Sequence, residues 1–92
     1  MKNIIILITT LCFLTPVHAQ LNVDSLTRSL ANSGRPPADL ERDSNRKAPE
    51  VLNFFGLKEG MTALDLVAIG GWYTEVLSLA VGSSGQVIMQ NN

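Results

Sequence analysis

From Thr62 onward the chain sets two short apolar runs on either side of a longer one and separates them with glycine turns. That order leaves few folds open. The run Thr62-Ala63-Leu64-Asp65-Leu66-Val67-Ala68 is apolar in both alternation phases. It predicts a strand covered on both faces, as in a parallel sheet between helix layers. Gly70-Gly71 breaks the strand. From Trp72 to Val81, Trp72, Tyr73, Val76, Leu77, Ala80 and Val81 form a wide apolar stripe, which suits a helix packed on that sheet. Gly82-Ser83-Ser84-Gly85 turns the chain again, and Gln86-Val87-Ile88-Met89 is a second β-prone run. Strand, glycine turn, helix, turn and strand make one βαβ unit, so the two strands must be parallel with a right-handed crossover. The fold class is therefore α/β. The turn from Gly70-Gly71 into a helix start is also where electron-rich ligand groups bind, because free backbone N–H groups point outward there.

Residues 20–60 read as a helical segment preceding this unit, which occupies residues 61–92. Leu26 and Leu30 lie four apart in a short amphipathic pattern from Leu21 to Asn32, with Asp24 or Ser25 as its cap and Gly34 as its stop. Arg35-Pro36-Pro37 is a rigid break. Pro37 to Lys47 reads as a surface helix with Pro37 in its first turn. Its charges fall at helical neighbour spacing: Asp39 with Arg42, Asp43 with Arg46, and Asp43 with Lys47. Such alternation predicts a solvated, salt-bridged face; the sharper alternative has Arg42, Asp43 or Arg46 folding over a ligand pocket. Pro49 opens a further helix in which Val51, Leu52, Phe54 and Phe55 supply a broad apolar face, ended by Gly56.

The N-terminus carries an address. Lys2 supplies a positive charge, and Ile4 to Leu14 is an eleven-residue run without charge. That length suits the roughly 7–15 residues of a signal-peptide core and falls short of the roughly 20 needed to span a bilayer. Pro16 ends the run and Val17-His18-Ala19 offers a cleavage site, so residues 1–19 are expected to be a leader on an exported protein, periplasmic or secreted. Leu11 is too bulky for Cys12 to be a lipid-attachment site. Removing 19 of 92 residues leaves 73, and the loss of Lys2 takes the formal charge from −1 to −2. The sole Cys and the sole His leave with the leader. A zinc–thiolate site, a Cys nucleophile, a Ser-His-Asp triad and a histidine base are thereby excluded from residues 20–92. The acidic balance gives no reason to expect a nucleic-acid partner, and no stable membrane span is expected once the leader is cleaved.

The stretch Leu57-Lys-Glu-Gly-Met-Thr-Ala-Leu-Asp-Leu-Val-Ala-Ile-Gly-Gly-Trp-Tyr-Thr-Glu-Val-Leu, followed by Val81-Gly-Ser-Ser-Gly-Gln-Val, resembles the start of a class I S-adenosylmethionine-dependent methyltransferase. The likeness is to an exported bacterial branch in which a leader precedes an Arg/Asp-rich helix, a Phe-Phe-Gly helix end and a Gly-Gly-aromatic turn. Arg42, Asp43, Arg46, Pro49, Phe55 and Gly56 fit that pattern, and the resemblance spans Arg35 to Asn91. It implies a Rossmann-like, doubly wound fold and S-adenosyl-L-methionine as cofactor. It also implies a cofactor site at Asp65, Ala68, Gly70, Gly71 and Gln90, with no metal. Asp65 keeps the acid of the family's first motif. Val67 and Ile69 stand where its first two alternating glycines fall, Gly71 keeps the third, and Gly70 lies between. A Cβ-branched residue at 69 is expected to resist positive φ and hinder close backbone approach. At the end of the second strand, where the family has an acid for the ribose hydroxyls, Gln90 and Asn91 offer only amide oxygens.

The expected function is the cofactor-binding portion of an exported methyltransferase whose methyl acceptor and catalytic base the sequence does not name. A full domain of this kind has about seven strands with helices on both faces. The resemblance therefore implies an N-terminal fragment with an incomplete sheet, inactive alone, whose unpaired strand edge invites pairing with another chain. Two other readings stand beside it. In one, Val67 and Ile69 mark a degenerate glycine loop in a non-catalytic pseudoenzyme or interaction module. In the other, the βαβ unit belongs to a nicotinamide enzyme, against which the incomplete G-x-G-x-x-G pattern counts.

Overall fold

The computed structural model describes residues 20–91. The expected leader, with Cys12 and His18, lies outside the described residues. Among these the chain forms a small mixed α/β unit of four α-helices and a two-stranded parallel sheet. The helices are α1 (Val23–Ala31), α2 (Pro37–Arg46), α3 (Ala48–Phe54) and α4 (Trp72–Val81), and the strands are β1 (Thr62–Leu66) and β2 (Gln86–Gln90).

α1 starts at neither expected cap. Asn22 is the cap, its Oδ1 accepting the Ser25 N–H at 2.9 Å, an interaction worth about 1 kcal/mol. Leu26 and Leu30 are the residues it buries. α2 begins at Pro37 as its composition predicts, and it buries no residue. It is parted from α3 by Lys47, whose φ of 49° is left-handed. Pro49 accounts for that break, because its ring cannot donate to the carbonyl four residues back and collides with it in a continuous helix. α3 turns Ala48, Pro49 and Leu52 inward. The broad aromatic face expected here is not used: Phe54 and Phe55 are 84% and 78% exposed, their rings edge-on to each other at 5.4 Å. At about 100° per residue Phe54 lies on the face opposite the buried Leu52, and Phe55 stands past the last helical residue as the C-cap, where the chain leaves the core.

The core is the meeting of three helices. Leu26 and Leu30 from α1, Ala48 and Leu52 from α3, and Trp72, Val76, Leu77 and Ala80 from α4 form one buried cluster, with Leu21 closing its edge. The Gln20–Lys58 bridge holds Leu21 there. Burying each large aliphatic side chain contributes about 1.5–3 kcal/mol.

β1 and β2 pair in parallel, Thr62 with Gln86 through Leu66 with Gln90. In that register Ala63, Asp65 and Val87 face α4 and are half-buried or nearly so. The expectation of two covered faces is not met among the described residues. Leu64 and Leu66 are 57% and 65% exposed and Ile88 is also exposed, making an open apolar face. β1 is also two residues shorter than predicted, because the chain turns left-handed at Val67, while β2 runs one residue further, to Gln90.

Candidate functional site

Both strands end at the same side of the sheet, and the chain leaves β1 there through a tight turn. Val67 has φ 59°, a short 3-10 turn covers Ile69–Gly71, and Gly70 and Gly71 have φ 78° and 74°. Glycine alone adopts such angles without a Cβ clash, which is why two of them stand here. The expected strain at Ile69 falls instead at Val67. Ile69 keeps an ordinary backbone within the turn and is 85% exposed, so its side chain points away from the chain rather than into the turn. Val67 occupies the left-handed region that a β-branched residue tolerates poorly.

The five expected site residues gather round this turn. Asp65, at the inner face of β1, accepts a hydrogen bond from Thr74 Oγ1 at 2.6 Å, tying the strand end to the first turn of α4. Ala68 is buried, donates its N–H to the Gln90 carbonyl at 3.1 Å and accepts from the Gly71 N–H at 3.1 Å. Gln90 Oε1 accepts the Val67 N–H at 3.3 Å, so the amide oxygen expected to face a ribose is turned onto the loop backbone. Gly70 has open space where a Cβ would stand, and Gly71 has only the tip of Met89 at 4.0 Å. Backbone can therefore be approached closely at both. The site pairs a carboxylate, a short run of glycine backbone and a helix N-terminus, a set suited to a polar, electron-rich small molecule.

A second cluster sits behind the turn, and local sequence spacing did not indicate it. Asp43 pairs with neither Arg46 nor Lys47. Its Oδ2 meets Arg35 Nη2, and its Oδ1 accepts from the indole Nε1 of Trp72 at 3.0 Å. The same Nε1 donates to the Asp39 carbonyl at 3.1 Å, and the Arg46 guanidinium lies 4.5 Å over the Trp72 ring. Arg35 and Asp43 side chains are only 7% and 11% exposed. Arg35 Nε also donates to Ser33 Oγ at 2.8 Å and lies 3.8 Å from Glu75, while Nη1 has no hydrogen-bond partner among the described residues. Of the expected α2 pairs only Asp39–Arg42 is present, at 3.7 Å. The signal for this cluster was Trp72 itself, a buried indole that needs an acceptor.

Two clefts are lined by residues other than those of the glycine turn. One of about 390 Å³ lies among α1, α2 and α3, between Leu30, Leu40, Asp43 and Pro49. Another of about 370 Å³ lies beside α4, between Ser33, Arg35, Thr74 and Ser78. Neither includes Asp65, Gly70, Gly71 or Gln90. The chemistry of the turn, not the depth of either cleft, makes it the candidate site. Among the described residues no group of three or more His, Cys, Asp or Glu could hold a metal ion, and no helix is long and apolar enough to cross a membrane. Compared with protein-family models, curated proteins and solved structures, the chain matches none.

Proposed function

We propose that the turn from Val67 to Trp72 is the S-adenosyl-L-methionine-binding part of an exported class I methyltransferase-like protein with a Rossmann-like fold. The observation that carries the reading is the convergence of Asp65, Gly70, Gly71 and Gln90 at the carboxyl ends of two parallel strands. In open α/β sheets ligands bind in that place. On this reading Asp65 orders the loop through Thr74, and Gly70 and Gly71 let the cofactor approach backbone. The fold of α4 provides N–H groups at its first turn. Methyl transfer depends chiefly on holding an electrophilic methyl in line with a nucleophile, so this segment needs neither thiol nor imidazole. The methyl acceptor belongs to parts of the reaction these residues do not define. Residues 1–19 support export, which fractionation of cells expressing a tagged chain tests directly.

Calorimetric titration with S-adenosylmethionine, using NAD as the control ligand, tests the cofactor. Binding of the first and not the second is expected, with at least a tenfold loss in Gly71→Val. Equal response to both ligands, or to neither, rejects the reading. A non-catalytic interaction module is the second reading. It is favoured by Val67 in a glycine's conformation and by the open face of Leu64, Leu66 and Ile88. Under it, Val67→Gly leaves the chain without S-adenosylmethionine affinity.

A further inference from the structure

We propose that Asp43 is a positioning residue that clamps α2 onto the start of α4 and thereby holds the glycine turn in shape. This deepens the cofactor reading by naming what keeps that site formed, and it rests on that reading only for its effect on affinity.

α2 buries none of its residues, so apolar packing does not fix it to the body of the protein. Three of its residues instead converge on one side chain, the indole of Trp72: the Asp39 carbonyl, the Asp43 carboxylate and the Arg46 guanidinium. Asp43 is the member that reaches in two directions. One oxygen takes the indole N–H, and the other takes Arg35, which is held in turn by Ser33 and lies near the Glu75 carboxylate. The segment leading into α2 and the first residue of α4 are thus joined through one carboxylate.

Trp72 directly follows Gly71. Two glycines with φ above 70° give the turn its shape but little stiffness, because glycine moves freely between conformations. Stiffness must come from the two ends. At the strand end, the Ala68 N–H is bonded to the Gln90 carbonyl. At the helix end, Trp72 is fixed by its burial in the core and by α2. Asp43 supplies a charge-assisted hydrogen bond there, the stronger kind.

Amide hydrogen exchange on the full chain tests this with Asp43→Asn. An amide has one oxygen for two donors and must turn its NH₂ against one of them. Loosening the clamp is expected to speed exchange of the Ala68 and Gly71 amides about tenfold or more. Rates at Ala68, Gly71, Val76 and Ala80 that rise together by one factor would show a purely global structural role, and that result, or unchanged rates at Ala68 and Gly71, would overturn the proposal. Should Asp43→Asn fail to fold, Trp72→Phe carries the same test, since it keeps a ring beneath Arg46 and removes the donor, its lost core packing being read separately at Val76 and Ala80. A parallel titration with S-adenosylmethionine separates the two ideas. Faster turn exchange in a protein whose wild type does not bind that cofactor refutes the cofactor reading and leaves the clamp standing.

Discussion

Removing the Asp43 carboxylate by Asp43→Ala is expected to cost far more than a surface substitution. Arg35 is 7% exposed and would keep only Ser33 Oγ at 2.8 Å and the Glu75 carboxylate at 3.8 Å, with Nη1 already without a partner. Stranding one member of a buried ion pair costs about 3–5 kcal/mol. Glu75 is half exposed and screens part of that charge, which places the expectation near the lower bound, about 3 kcal/mol. A domain the size of the described segment has only about 4–11 kcal/mol of stability in all. For such a domain each kcal/mol moves Tm by about 4–8 °C, so a fall of about 12–24 °C follows. The single tryptophan, Trp72, sits in the cluster and reports unfolding by its fluorescence. The double variant Arg35→Met with Asp43→Leu removes both charges and leaves the indole its Asp39 carbonyl. It should unfold within about 1 kcal/mol of wild type, because an apolar pair of similar volume replaces a buried ion pair at little net cost. A loss below about 1 kcal/mol in Asp43→Ala, or a double variant as unstable as the single, would refute the reasoning.

Other substitutions probe the turns and the open sheet face. In Gly85→Ala the new Cβ would stand 2.4 Å from Val81 Cβ and 2.7 Å from the Val81 carbonyl oxygen. Overpacking of that kind costs about 1–3 kcal/mol, read as a lower urea midpoint; an unchanged midpoint contradicts the packing described. Val67→Gly relieves a left-handed valine whose side chain is mostly exposed. A gain of up to about 1 kcal/mol in thermal unfolding is expected, and a loss would place the strain elsewhere. Replacing Leu64 by Lys and Ile88 by Glu, which face each other across the two strands, should change stability by less than about 1 kcal/mol, since both are substantially exposed. The same variant should show reduced light scattering on concentration, and collapse of the fold would mean that this face is covered.

The order of the βαβ unit was legible because glycine punctuation and apolar periodicity are local signals. Thr62, Trp72, Val81 and Gln86 fall where the sequence places them. α2 was legible for the same reason, Pro37 being preset for a first helical turn. What escaped depends on distance or on one dihedral angle. Asp43 looked like a member of a solvated charge ladder, but its acceptor role is set by an indole 29 residues away. Phe54 and Phe55 looked like core by composition, although Phe54 lies opposite the buried Leu52 and Phe55 falls just past the helix end. Val67 looked like strand and is instead the first residue of the turn, because nothing in a β-branched side chain announces a positive φ. The residues singled out in the chain, Asp65, Ala68, Gly70, Gly71 and Gln90, gather round one turn because a parallel pair of strands ends there. The turning of Gln90 onto the Val67 amide joins residues 23 apart, a contact that no local pattern announces.

The central claim is that S-adenosylmethionine is bound at the glycine turn, and an NMR titration of the isotope-labelled protein tests it most directly. S-adenosylmethionine, and not NAD, is expected to shift the amides of Asp65, Ala68, Gly70, Gly71 and Gln90 while those of Leu26 and Leu30 stay in place. Shifts confined to the residues lining the two clefts, or a spectrum indifferent to S-adenosylmethionine, would contradict it.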